Sequence, residues 1–139
     1  MYLRLISCLI ALAAAPAAWA QDKKDDPIDK TLASCLETAD GAYLEQANCI
    51  DDASKAWDRE LNLIYGKLMQ ALDAGGQERL KMAQRQWLSF RDSEIGLQDH
   101  VVGVASQGST MGNLMMGQME MELLRARAQA LRAYKDILG

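Results

Sequence analysis

The chain has 139 residues, 50% of them hydrophobic, 24% charged and 6% aromatic, with 2 Pro and a net charge of −4. That is the composition of one ordinary globular domain, and it excludes collagen-like, disordered and large multidomain architectures. No basic patch interleaves with aromatic residues, so nucleic acid is not expected as a partner, and the acidic balance favours a basic one.

Met1 to Arg4 form a short basic start, Leu5 to Ala14 an apolar run, and Ala17-Ala18-Trp19-Ala20 a small-residue A-x-A ending. Together they predict a cleaved signal peptide over 1–20, because an apolar stretch of about 15 residues falls short of the roughly 20 needed to span a bilayer. The expected location is therefore periplasmic or secreted, with no membrane contact after cleavage. Removal of Arg4 with this leader makes the remaining chain one charge more acidic. Cys8 is removed as well, leaving Cys35 and Cys49 in a chain bound for an oxidising compartment, so one disulfide is expected.

Residues 21–26 read as a charged, flexible tether, and the domain proper is expected over 27–139. Asp26-Pro27 is a helix start, with Asp as N-cap and Pro at the first helical position. A short helix to about Thr38 places Ile28, Leu32, Cys35 and Leu36 on one face, and Asp40-Gly41 ends it. From Tyr43 a long helix follows, with Ala47, Ile50, Ala53, Trp57, Leu61, Ile64, Leu68 and Leu72 inward at steps of three or four. Asp73-Ala74-Gly75-Gly76 stops it. A third helix is predicted from about Gln77, with Leu80, Ala83, Trp87, Phe90 or Arg91, and Ile95 facing inward.

Gly103 to Thr110 contains two glycines and two candidate caps, and reads as a loop. In the last helix Met116, Met119, Leu123, Ala126, Ala130, Ala133 and Ile137 make the expected inward stripe. No segment alternates with period two. The predicted fold is all-α, a small bundle of about four helices with one disulfide.

The order Cys35-Leu36, Cys49, then Asp58, Leu61-Asn62, Tyr65 and Leu68 resembles the first half of the signature of the LprI-like family of lysozyme inhibitors. Leu80, Gln84, Trp87 and Phe90-Arg91-Asp92, then Gly108-Ser109-Thr110, then Arg127 and Leu131, resemble its second half. The resemblance spans roughly residues 32–131. Family members often carry a second cysteine pair, whose positions correspond here to Ile95 and Met119. The resemblance implies a non-catalytic protein whose partner is a protein, a basic hydrolase of the lysozyme type. The target, the binding surface and the oligomeric state are left open.

Asp58, Asn62, Gln84 and Arg91 are the polar part of this signature. The preferred reading is an interhelical lock in which Asp58 pairs with Arg91 beside Asn62 and Gln84, since a planar guanidinium can grip a carboxylate with two hydrogen bonds. Direct contact with a ligand is the other reading. The loop residues Gly103, Ser106, Gly108, Ser109 and Thr110, with His100, are the candidate partner-binding element, because loops on rigid helices commonly carry binding.

His100 is the sole histidine. The chain thus lacks a Ser-His or Cys-His pair to activate a nucleophile and a His/Cys cluster for zinc, and no enzyme activity, cofactor or metal is expected. The methionines at 111, 115, 116, 119 and 121 could ligate copper(I), but core packing explains their helical stripe without a metal. An immunity protein for another secreted toxin, a copper-binding protein and an envelope structural module are the alternatives to the inhibitor reading.

Overall fold

Asp26 sets the first helix. In the computed structural model, which describes residues 26–139, its Oδ1 accepts from Ile28 N at 2.9 Å, and Pro27 occupies the first turn. The predicted signal peptide over 1–20 and residues 21–25 of the expected tether lie outside the described residues. α1 (Pro27–Ala39) ends where Asp40 and Gly41 take left-handed backbone angles, φ 42° and 82°. The chain turns there into α2 (Tyr43–Ala71), and the Cys35–Cys49 disulfide ties the two helices together.

Two element boundaries differ from those expected. α3 runs Ala74–Ser106, opening three residues early because Asp73 Oδ1 caps Gly76 N at 2.8 Å and draws both glycines into the first turn. Gln77, inside that helix, sends its Nε2 back to the carbonyls of Met69 and Leu72, satisfying acceptors that the end of α2 leaves open. At the far end Gly103 to Ser106 are helical, and the connection shrinks to Gln107–Ser109. Gln107 and Gly108 supply the left-handed turn, with φ 52° and 73°. Val102 is buried close to Gly112, and its burial offsets the roughly 1 kcal/mol that Gly103 costs in a helix. Ser109, the earlier of the two candidate caps, accepts from Gly112 N and starts α4 (Thr110–Leu138).

α4 is the central helix. It packs along α2 and, on another side, against α3, while α2 and α3 meet far less. Gly117 lies against Ile50, Arg125 over Trp57, and Arg132 beside Glu60, so α2 and α4 run parallel. Gly112 faces Ser106 while Arg127 reaches Gln84, so α3 and α4 are antiparallel. The core is Ala53, Trp57, Leu61, Ile64 and Leu68 of α2, Leu80 of α3, and Met121, Ala128 and Leu131 of α4, with Ile28 and Leu32 of α1 packed against it.

The inward stripe of α2 is as expected, but that of α4 is rotated. Leu114, Met121, Arg125, Ala128 and Leu131 are buried, whereas Ala126 and Ala133 are exposed and Ile137 is 81% exposed. The buried face of α4 contains an arginine, and an apolar count along the sequence therefore points to the wrong side. On α3 the inward residue at the ambiguous position is Arg91, with Phe90 exposed. Met121 enters the core, Met116 and Met119 are half-buried, and Met111 and Met115 are exposed.

Candidate functional site

α2 and α3 diverge from their shared corner and leave a groove of about 450 Å³ between them. Asp58, Asn62 and Tyr65 of α2 line one wall, and Lys81, Gln84, Arg85 and Arg91 of α3 the other, with Leu61 and Trp87 also in the lining. Helical periodicity explains the grouping. Asp58, Asn62 and Tyr65 each follow a core-facing residue (Trp57, Leu61, Ile64), and Lys81 and Arg85 follow Leu80 and Gln84, so each set forms a flank beside a packed face.

All four residues of the expected lock line this groove, but the lock is not closed. Asn62 Nδ2 donates to the carbonyl and to Oδ2 of Asp58, at 2.9 and 3.2 Å, within α2. Arg91 donates through Nε and Nη2 to Oδ1 of its neighbour Asp92, at 3.0 and 2.8 Å, within α3. Asp58 and Arg91 thus find partners on their own helices, a shorter reach than crossing the groove. The interhelical hydrogen bond that does form runs from Arg127 Nε on α4 to Gln84 Oε1 on α3, at 3.0 Å. Two guanidinium groups lie over the Trp87 ring, Arg91 at 5.5 Å and Arg127 at 5.8 Å from its centre.

The other candidate element is divided. His100 and Gly103 are exposed and Ser106 half-buried on the last turns of α3, Gly108 and Ser109 form the turn itself, and Thr110 begins α4. Among the described residues no group of three or more His, Cys, Asp or Glu is placed to hold a metal ion. None of the described helices is long and apolar enough to cross a membrane.

A second polar constellation surrounds Trp57, which is fully buried. Arg125 binds Asp29 of α1 and Glu122 of its own helix, and Arg132 binds Asp26, the N-cap of α1, and Glu60 of α2. Both guanidinium groups lie 5.9 Å from the indole centre. Burial raises the Asp29 carboxyl above its ordinary range and outweighs the opposing pull of Arg125. For Arg125 burial acts downward, but Glu122 and Asp29 overcome it and hold the cation more firmly protonated. The sequence reading missed this cluster. Its one legible signal is the spacing of seven between Arg125 and Arg132, which places both on one helical face.

The chain matches the family described as lysozyme inhibitor LprI over residues 35–131. It belongs to the LprI family. The matched span begins at the first cysteine of the disulfide and ends at the core residue Leu131, so it takes in both groove walls and most of α4. Another protein similar to this LprI-family chain is the uncharacterized protein R02472 of Rhizobium meliloti (strain 1021), 33% identical in a 97-residue alignment that covers 60% of this chain and 67% of that one. A crystal structure of an uncharacterized protein from Burkholderia thailandensis superposes with a TM-score of 0.71 at 30% identity, over 81% of this chain. The LprI-family chain spans 55% of that longer protein.

Proposed function

We propose that this protein is a secreted or periplasmic, non-catalytic inhibitor that binds a basic hydrolase of the lysozyme type. The observation that carries this reading is the family match across residues 35–131, whose polar signature residues Asp58, Asn62, Gln84 and Arg91 line one open groove. Because Asp58 and Arg91 do not hold each other, both sides of the groove retain hydrogen-bonding capacity for a partner. The net charge of −4 supports a basic target, since opposite charge accelerates encounter. The turn at Gln107–Ser109, with His100, Gly103, Ser106 and Thr110 around it, is a second contact element at the opposite end of α3 from the Asp73 corner.

The test is a titration of oxidised residues 21–139 against lysozymes of different structural classes, following cell-wall lysis and direct binding together. Dose-dependent inhibition with matching binding is the expected result for at least one class. Absence of binding to every class would overturn the reading. Alanine at Ser106, Gln107 and Ser109 together should weaken the complex if the turn is a contact, and an unchanged affinity removes the turn from the interface.

A further inference from the structure

The arginines of α4 are treated unequally. Arg125 and Arg132 each bind two carboxylates, whereas Arg127 reaches only the amide oxygen of Gln84. Its Nη2 is buried and has no acceptor among the described residues, and burial lowers its pKa. Arg127 stands over Trp87, and the groove-lining Arg91 stands over the same indole.

The α3 wall of the groove repeats this deficit of negative charge. Lys81 and Arg91 pair with Glu78 and Asp92, whose side chains are 68% and 66% exposed, and such solvent-exposed pairs hold weakly. Arg85 makes no hydrogen bond and no contact ion pair among the described residues, and its charge acts on the exposed Glu78 only at longer range. Arg91 uses Nε and Nη2 on a single oxygen of Asp92, which leaves Nη1 without a hydrogen bond among the described residues. Asp58 is the one carboxylate in the groove lining, and its Oδ2 is engaged by Asn62. A local excess of positive charge therefore sits in a chain of net charge −4.

We propose that this wall seats a carboxylate, an acidic side chain of the inhibited hydrolase, between Arg85 and Arg91 at the edge of Trp87. Arg127 adds positive field from α4. Planar guanidinium groups match a carboxylate with paired hydrogen bonds, and a lysozyme-type hydrolase works with acidic side chains of its own. The net negative charge of the chain draws in a basic enzyme, and a basic wall that meets one of that enzyme's fewer acidic residues fixes the register of the complex. The assignment of the carboxylate to a hydrolase rests on the inhibitor reading above; the carboxylate site itself does not.

The experiment is nuclear magnetic resonance on isotope-labelled residues 21–139, observing the indole N–H signals of Trp87 and Trp57 and the arginine Nε–H signals. The probes are N-acetylglutamate α-amide, its uncharged glutamine counterpart, and muramyl dipeptide. The glutamate probe should shift Trp87 and leave the buried Trp57 in place, and the glutamine probe should do neither. Arg85→Gln and Arg91→Gln should each weaken the glutamate probe about tenfold, with the Trp57 signal reporting that the fold is intact. The same variants should lose inhibition of any hydrolase the wild type inhibits, also about tenfold, while Arg79→Gln, outside the groove, retains it.

Equal shifts from the glutamate and glutamine probes, or full inhibition by the Arg85→Gln/Arg91→Gln double variant, would overturn the site. A Trp87 shift at lower concentration of muramyl dipeptide than of the glutamate probe would overturn the hydrolase as the source of the carboxylate and assign it to peptidoglycan. A wild type that inhibits no hydrolase yet shows the glutamate-specific shift would overturn the inhibitor reading and uphold the site.

Discussion

Arg125 and its two carboxylates illustrate how burial changes the worth of a charge. The Arg125 and Asp29 side chains are 10% and 13% exposed, so removing the cation strands a desolvated carboxylate. Arg125→Met should cost about 3–5 kcal/mol of unfolding free energy, as expected for breaking a buried pair from one side. Asp29→Asn should cost less, about 1 kcal/mol, because Glu122 still binds Arg125 and the penalty for desolvating the Asp29 charge disappears. Urea midpoints of the two variants check the order; equal losses would contradict it. The raised Asp29 pKa adds a sign. Its protonated form is favoured in the folded state, so its contribution to stability is fully present below the ordinary carboxylate value and fades as pH rises through the raised value. The wild type should therefore lose stability relative to Asp29→Asn as pH is raised through that window.

At the scale of the helix, glycine positions separate the predicted loop from the observed one. A Cβ added at Gly96 or Gly103 meets nothing within 4 Å, and both residues are helical. Alanine at either should raise stability by about 0.5–1 kcal/mol, measurable as a higher melting temperature. If the segment were a loop with left-handed glycines, alanine would lower it. Gly112 behaves oppositely, because its Cβ would stand 2.2 Å from Ser106 Oγ and 2.6 Å from Ser106 Cβ, where α3 and α4 touch. Gly112→Ala should destabilise the protein, and Ser106→Gly in the same chain should restore part of the loss. The short α1 depends on its neighbours in a different way. Closing a loop with a sequence separation of 14, the Cys35–Cys49 bridge contributes about 3 kcal/mol. Cys35→Ser/Cys49→Ser should lose about that amount, while Asp26 and Asp29 keep α1 bound through Arg132 and Arg125. Amide exchange should then accelerate in α1 ahead of α2, and simultaneous loss of protection in both would count against that order.

Across the whole molecule the net negative charge and the basic groove wall make separate predictions. Long-range steering toward a basic hydrolase is screened within about 8 Å at physiological ionic strength, so added salt should chiefly lower the association rate. Contacts inside the groove are shorter in range, and their removal should chiefly raise the dissociation rate. Stopped-flow association of the complex at several salt concentrations, with wild type and Arg85→Gln, separates the two. A salt-independent association rate would remove charge steering from the binding mechanism.

The sequence by itself determined the all-α class, the disulfide partners, the buried stripe of α2, the capping residue Asp26 and the family, and it narrowed the cap of α4 to Ser109 or Thr110. These follow from local rules, in which three- and four-residue spacing, cap chemistry and the one cysteine pair left once Cys8 is assigned to the predicted leader point in one direction. Only the tertiary structure decided the phase of α4. Its inward face includes Arg125, and an arginine is placed inside only when Asp29 from the distant α1 is there to receive it. The same reason governs the groove: Asp58 and Arg91 were legible as a candidate interhelical pair, but each is satisfied by a nearer partner. Arg127 could not be told from its neighbours by sequence, because the absence of a carboxylate around it is a property of how α3 and α4 pack.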